Sequence, residues 1–442
     1  MKPNILFIIL DSMRSDKFHQ KSKDSQTPNI DSLIHKGTYF DQNFGSSDYS
    51  VAGYGTIFSS LYPINAGISG MSYHKIFSKV PNYVNQLKNY GYHAYSLVDT
   101  WSIKLGLTDF ENDDKEYDRT NLNLFNGLGN RILNKLESNS LIEPWFYLIH
   151  IEDLHIPVSV PDEFKYKKYS ERYNFVVSEI DLWIGKILEK IDLEKTLVVI
   201  TADHGDYILS IDDGVKETLS SKIKSDIRKH VPRTMYDKVA TQKRNVERST
   251  KFLKARSTLE KRAIDTRTSK ERYLFDDLIH LPLLFLGYKI PSNGIKNNLV
   301  RSIDIFPTIA EIIGLENNYQ IDGRSLVPLI QGKNLNEEMV YLENTIFEND
   351  SKSPKPCIGL RTSKFKYFRR LDVNEEQIFL YDLENDPFEE NNIALSDPEL
   401  VKNFEEELSK KRKKLLSKFD QPELTEDEAK NVEEELKKLG YI

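Results

Sequence analysis

Asn4-Ile5-Leu6-Phe7-Ile8-Ile9-Leu10-Asp11 is the stretch on which the fold turns: an unbroken apolar run behind one asparagine, closed by a carboxylate. A run of this length, rich in Ile, Leu and Phe and without polar alternation, reads as a strand buried on both faces of a parallel sheet. Working outward, the same texture recurs at Ala94–Val98, Trp145–His150, Thr196–Thr201 and Leu281–Leu286. Asn82–Tyr90 and Tyr173–Ile191 are long enough to be crossover helices between such strands. The expected class is α/β, with a mostly parallel central sheet and helices on both of its faces.

The residues that follow each run carry chemistry. The first ends in Asp11, the second in Asp99, the third in His150, Asp153 and His155, and the fourth in Asp203 and His204. Ligands of open α/β sheets bind outside the carboxyl ends of the strands. An aspartate after a strand is also an ordinary turn residue, so the weight lies in four strands delivering carboxylates and imidazoles to one edge.

Composition bounds the rest. Of 442 residues, 39 % are hydrophobic and 29 % charged, enough apolar side chain for a sizeable core, which excludes global disorder. One cysteine, Cys357, excludes an intrachain disulfide and a cysteine-based zinc site. The early apolar run is too short for an export signal or a membrane span, so the expectation is a soluble, cytoplasmic protein, peripheral to an inner membrane at most. A net charge of −7 does not suggest a nucleic-acid partner. That charge is unevenly spread: Lys216 to Arg272 holds 18 Lys and Arg against 7 Asp and Glu. This segment, with helical texture over Val239–Ala263, reads either as a solvated excursion or as a basic lid that steers an anionic substrate. Beyond residue 330, Met339–Glu343, Gly359–Arg361, Lys366–Arg370 and Gln377–Tyr381 read as short antiparallel strands. Glu399–Lys418 and Thr425–Leu439 read as charged helices, the latter opening on a capping-box pattern. The expected organisation is a catalytic domain over 1–330, interrupted by a basic helical insertion at 207–273, and a C-terminal subdomain over 331–442.

Taken together the motifs amount to a family resemblance. Asn4–Asp16, Thr27–Phe44, Tyr49–Pro63, Phe146–Pro157, Val198–Asp206, Leu274–Phe285, Ser302–Leu315, Asp322–Ile330, Leu380–Asn392 and Leu436–Ile442 resemble, in order, the blocks of the sulfatase branch of the alkaline phosphatase superfamily. Thr27–Phe44 corresponds to a helix in that register. The resemblance implies an alkaline-phosphatase-like fold and a metal-dependent esterase or phosphotransferase. It implies Asp11, Asp203 and His204 as ligands of a divalent cation (Mn²⁺, Mg²⁺, Ca²⁺ or Zn²⁺), a donor set compatible with any of these. Where relatives often have a second aspartate this chain has Ser12, which favours one cation over two. Arg14 and Asp16 are expected to pair locally.

The resemblance puts Ser50 where sulfatases carry the Cys or Ser that is oxidised to formylglycine. The maturation signal there is Cys/Ser-x-Pro/Ala-x-Arg, and this chain reads Ser50-Val51-Ala52-Gly53-Tyr54, with tyrosine in place of the arginine. An unmodified hydroxyl nucleophile is therefore expected; the competing reading is that Ser50 merely caps the helix over Val51–Leu61. His155 and His280 are implied to bind the substrate and aid catalysis, with His280 alternatively a satisfied core histidine. His150 and Asp153 are implied to bind or support the substrate. Asp206 is expected to be structural. The leading expectation is hydrolysis or transfer of phosphate esters of a glycan, glycerol or lipid head group through a Ser50 intermediate. The alternatives are a sulfatase acting on sulfated glycans and a non-catalytic polyanion-binding relative. The charged C-terminal helices leave room for a homo-oligomer.

Overall fold

The computed structural model describes residues 2–19, 23–68, 81–99, 110, 122–138, 140–208, 249, 252–255, 257–269, 273–316, 319–344, 356–371 and 377–417. Twelve strands are described: β1 (Asn4–Leu10), β2 (Thr38–Phe44), β3 (His93–Leu97), β4 (Trp145–Ile151), β5 (Thr196–Thr201), β6 (His280–Leu281), β7 (Leu283–Gly287), β8 (Gly294–Arg301), β9 (Val340–Glu343), β10 (Cys357–Arg361), β11 (Phe365–Arg370) and β12 (Ile378–Asp382). The first eight make one sheet in the order β3-β4-β1-β5-β7-β2-β6, with β8 beside β2; the last four make a separate sheet, β12-β11-β10-β9.

β1 shows why its sequence is apolar throughout. Ile5 to Leu10 are all fully buried. Leu6, Ile8 and Leu10 face a core shared with the Pro28–Lys36 and Tyr169–Leu188 helices, while Ile5, Phe7 and Ile9 face one shared with the Ser50–Ser59 and Ile305–Ile313 helices. Phe7 stacks on Phe306 with centroids 5.4 Å apart and meets Phe58 at 5.8 Å. Burying a side chain of this size stabilises the fold by about 1.5–3 kcal/mol.

β1, β3, β4 and β5 are parallel, as the sequence led us to expect. Two expectations fail on the other half of the sheet. Thr27–Phe44 is not one helix: the helix stops at Lys36, and Thr38–Phe44 becomes β2. The chain turns at Gly37, where a Cβ would stand 2.3 Å from the Phe285 carbonyl, so only glycine lets β2 begin against β7. Leu281–Leu286 is not one parallel strand either. Pro282 has no N–H for the ladder and separates β6 from β7, and both run antiparallel to their neighbours. The reversal matters for function, because Phe44 at the end of β2 pairs with His280 at the start of β6.

The small antiparallel sheet packs on the Pro398–Leu416 helix through Phe404, Leu408 and Leu415, and its core also takes in Tyr62, Ile64 and Ile303. Of the basic segment, the Thr258–Ser269 helix is described; most of the segment, including the greater part of Val239–Ala263, lies outside the described residues, as does Thr425–Leu439. Among the described residues no helix is long and apolar enough to cross a membrane.

Candidate active site

The ends of β1 and β5 set the floor of the site. The Asp11 N–H donates to the Ile151 carbonyl at 2.9 Å, so the residue leaving β1 is tied to β4. Ser12 follows in the left-handed region with φ +59°. Its hydroxyl donates to Asp11 Oδ1 at 2.6 Å and its N–H to Asp203 Oδ1 at 3.3 Å. Asp203 Oδ1 also accepts the His204 N–H at 2.9 Å. One oxygen of each carboxylate is thus held by the chain itself. The other oxygen, Oδ2 of both Asp11 and Asp203, is buried without a well-formed hydrogen bond among the described residues. A buried carboxylate oxygen left so is costly. It fits a cation.

Ser50 stands opposite. It is the first residue of the Ser50–Ser59 helix, whose cap is the extended Tyr49 with no side-chain cap bond. The capping reading of Ser50 is therefore set aside: its Oγ lies 3.0 Å from His204 Nε2 instead. The helix comes this close because Gly53 has no side chain; a Cβ there would stand 2.4 Å from the Asp203 carbonyl. His204 Nδ1 donates to the Gly205 carbonyl at 2.6 Å, which leaves the Nε2 lone pair toward Ser50 and the carboxylates. That nitrogen is 3.8 Å from Asp203 Oδ2 and 3.9 Å from Asp11 Oδ1.

β4 contributes from beneath. His150 is fully buried, with Nε2 3.5 Å from Asp11 Oδ2 and 4.0 Å from Asp203 Oδ2, and Nδ1 3.1 Å from Glu152 Oε1. Sequence reasoning passed over Glu152. The available signal was a carboxylate two residues after a histidine at a strand end that already held Asp153 and His155. Tyr54, in the place of the maturation arginine, sets its ring against the His150 imidazole at 5.0 Å. Donor atoms of Asp11, Asp203 and His204 lie within 4.8 Å of one another, and so do those of Asp11, His150 and Glu152.

The other expected site residues are more peripheral. His155 is partly exposed, its Nδ1 2.8 Å from the Ile156 carbonyl, and its charge reaches Asp11. Asp153 is fully buried and accepts the Leu124 N–H at 2.9 Å, holding that turn. His280 is not brought into the carboxylate cluster: its Nε2 donates to the Asp41 carbonyl at 2.6 Å and its ring stacks on Phe44 at 4.7 Å. Arg14 pairs with Asp16 at 2.7 Å, as expected, and with Asp277 as well. Asp206 accepts from the Tyr169 hydroxyl and from the Tyr207 N–H at 2.8 Å, a structural placement.

The electrostatics are those of a pocket short of positive charge. Burial, then the Asp11 charge, pushes the Asp203 carboxyl up. Burial likewise raises Glu152. Asp11 goes the other way: burial is outweighed by His155, His150 and His204, which hold it well below the usual carboxylate range. Against burial, Glu152 and Asp11 raise His150, and Asp203 and Asp11 raise His204. Imidazoles, with no Lys or Arg in contact among the described residues, are what face these carboxylates, a balance that a divalent cation would complete.

Comparisons with known proteins agree with this geometry. The family model described as Sulfatase matches residues 3–315, and the model for the N-sulphoglucosamine sulphohydrolase C-terminal region matches 266–417. Arylsulfatase K of Mus musculus is 24 % identical over 245 residues, 53 % of this chain and 34 % of that protein. The ulvan-active sulfatase of Formosa agariphila is 30 % identical over 148 residues, 27 % of this chain and 29 % of that protein. The matched segments thus span about a third or less of these curated relatives. Among solved structures, a 2-O GAG sulfatase superposes with a TM-score of 0.66 at 15 % identity, covering 94 % of this chain and 93 % of that one. A phosphonate monoester hydrolase of Agrobacterium radiobacter gives 0.65 at 16 %, covering 96 % and 99 %. At such identity these two speak for the fold. With the family model matched over most of its length, and with the strand-end carboxylates, His204 and Ser50 gathered at one sheet edge, this chain belongs to the sulfatase family.

Proposed function

We propose that the chain is a metal-dependent hydrolase of sulfate esters carried by sugars. In this proposal Asp11, Asp203 and His204 hold one divalent cation, and Ser50 Oγ is the attacking atom. The observation that carries it is the Ser50 hydroxyl 3.0 Å from His204 Nε2, beside two carboxylates whose buried Oδ2 atoms have no well-formed hydrogen bond among the described residues. The relatives named above as an arylsulfatase and an ulvan-active sulfatase favour sulfate over phosphate, which reverses the order of preference drawn from sequence alone. A cation bound here supplies acidity to a coordinated oxygen and offsets the charge of a tetrahedral anion.

The chain's own groups do the rest. The N-terminus of the Ser50–Ser59 helix favours negative charge developing on Oγ. Ser50 gives its proton to solvent as its Oγ bonds to sulfur and the bond from sulfur to the sugar oxygen breaks. The leaving oxygen takes a proton from His155, the partly exposed imidazole at the rim. Water then gives a proton back to His155 and attacks the same sulfur, the bond from sulfur to Ser50 Oγ breaks, sulfate departs and Ser50 regains a proton from solvent. His280, with Nε2 engaged, has Nδ1 left for an ester oxygen. The Lys216–Arg272 segment, by its charge, favours polyanionic substrates.

Phosphoryl esters are the second reading, favoured by Tyr54: without the maturation arginine Ser50 is expected to remain a hydroxyl, the kind of nucleophile a phosphoryl transfer can use. A panel of nitrophenyl sulfate, phosphate, phosphodiester and phosphonate esters, assayed with each of Mn²⁺, Mg²⁺, Ca²⁺ and Zn²⁺, separates the two. Fastest turnover on the sulfate ester supports the first reading; fastest turnover on a phosphorus ester replaces it with the second. Intact-mass measurement tells whether Ser50 has lost the hydrogen pair that formylglycine formation removes.

A further inference from the structure

We propose that His150, oriented by Glu152, is a fourth protein ligand of the cation at Asp11, Asp203 and His204. Its two imidazoles make the centre select Zn²⁺, with Mn²⁺ behind it, over Mg²⁺ and Ca²⁺. This deepens the site reading above and rests on it only for where the cation lies.

Three observations point to the fourth ligand. First, the spacing is that of donors to one ion. Ligands bound at about 2.0–2.2 Å stand roughly 3–4 Å apart. His150 Nε2 is 3.5 Å from Asp11 Oδ2 and 4.0 Å from Asp203 Oδ2, while His204 Nε2 is 3.8 Å from Asp203 Oδ2. Each imidazole thus stands within 4.0 Å of an Oδ2 atom of these carboxylates, and both Oδ2 atoms are buried without a well-formed hydrogen bond among the described residues. Second, Glu152 Oε1 lies 3.1 Å from His150 Nδ1. A carboxylate on the far nitrogen is the arrangement that fixes the tautomer of a metal-bound histidine and strengthens its near nitrogen as a donor. Third, the two residues beside these donors add no charge of their own. Ser12 offers a hydroxyl, already given to Asp11 Oδ1, and His150 supplies a nitrogen from β4. Tyr54 presents a neutral ring to His150 at 5.0 Å, where an arginine would press a fixed positive charge against an imidazole bound to a cation. The neutral ring at position 54 and the ligand at position 150 belong together.

Imidazole donors favour later transition cations, whereas hard Mg²⁺ and Ca²⁺ seek oxygen. The preference follows from the donor atoms, independent of which ester is cleaved.

The test uses the full-length protein, stripped with a chelator and reloaded with Mn²⁺, and counts directly bound imidazoles by pulsed electron paramagnetic resonance. Two are expected in the wild type and one in His150→Ala. In competition titrations of Zn²⁺ against Ca²⁺, the Zn²⁺ preference should fall at least tenfold in His150→Ala and by about tenfold in Glu152→Gln, the size seen when an orienting partner is lost. A single imidazole in the wild type overturns the proposal, and that count needs no variant to fold. An unchanged Zn²⁺ preference in folded His150→Ala overturns it equally. No turnover enters these readouts. Two imidazoles in a protein inert toward sulfate and phosphorus esters would sink the functional reading and leave this one standing; an active protein with one imidazole would do the reverse.

Discussion

Two buried clusters of charge, built from similar residues, behave oppositely. Under the small sheet, Asp276 meets Arg361 at 3.0 Å and Lys366 at 2.7 Å, and Lys366 also meets Glu389 at 2.7 Å. The Asp276 N–H adds a bond to Glu389 at 2.7 Å. Each carboxylate there has a basic side chain in contact, so that cluster is neutral by itself. At the carboxyl ends of β1 and β5, Asp11 and Asp203 meet hydroxyl, backbone N–H and imidazole groups, with no Lys or Arg in contact among the described residues. The lesson is that burial of charge does not mark function. What marks it is an incomplete balance that a ligand completes.

Substitutions can break or sharpen this contrast. The largest effect belongs to Ser50→Ala, which should lower ester turnover by on the order of 10⁴-fold or more while leaving the thermal midpoint near wild type. Steady-state kinetics beside a melting curve checks both halves; retained turnover would remove Ser50 from the mechanism. Lys366→Met should do the converse. Leaving Asp276 and Glu389 with less positive charge in a buried place destabilises by about 3–5 kcal/mol, seen in denaturant unfolding, with turnover per folded molecule kept.

Cations supply an intermediate effect. At a free concentration 100-fold above its dissociation constant, a divalent cation should stabilise the wild type by about 2.7 kcal/mol. Lys366→Met should keep that increment and Asp203→Asn should lose it. In chelator-treated protein, Asp203→Asn should be as stable as the wild type or more so, because it removes a buried charge that no Lys or Arg balances. A strongly destabilised apo Asp203→Asn would mean that this cluster is structural after all.

The smallest effect is a pH dependence. Burial raises the Asp276 carboxyl, but Arg361 and Lys366 outweigh it and hold the group far below its ordinary 3.8. Its contribution to stability is therefore in place above pH 3.8 and is lost as the pH falls through and below that value. Unfolding measured between pH 5 and pH 2 should decline less steeply for Asp276→Asn than for the wild type.

The site was legible to different depths. Asp11, Asp203 and His204 could be read as candidates because a strand end followed at once by a carboxylate or an imidazole is a local pattern. Ser50 could be placed only through the family register, since a serine before a helix has an equally good local explanation as a cap. Glu152 was hidden by its neighbours: its carboxylate takes meaning from the imidazole of His150 across a turn of strand. His280 looked catalytic in register, yet its nearest hydrogen-bond partner is the Asp41 carbonyl. β2 was masked by the helical texture before it, because its burial comes from β7 and β8, partners distant in sequence.

By itself the sequence determined the class of the fold, the parallel half of the sheet and the edge on which the chemistry sits, because hydrophobic period and strand-end residues are properties of short segments. Only the tertiary structure decided that β7 runs backward, that Ser50 faces His204 instead of capping its helix, and that His150 stands within reach of Asp11. Those outcomes depend on distances between residues far apart in the chain, and such distances exist only after two packed cores have fixed where each strand ends.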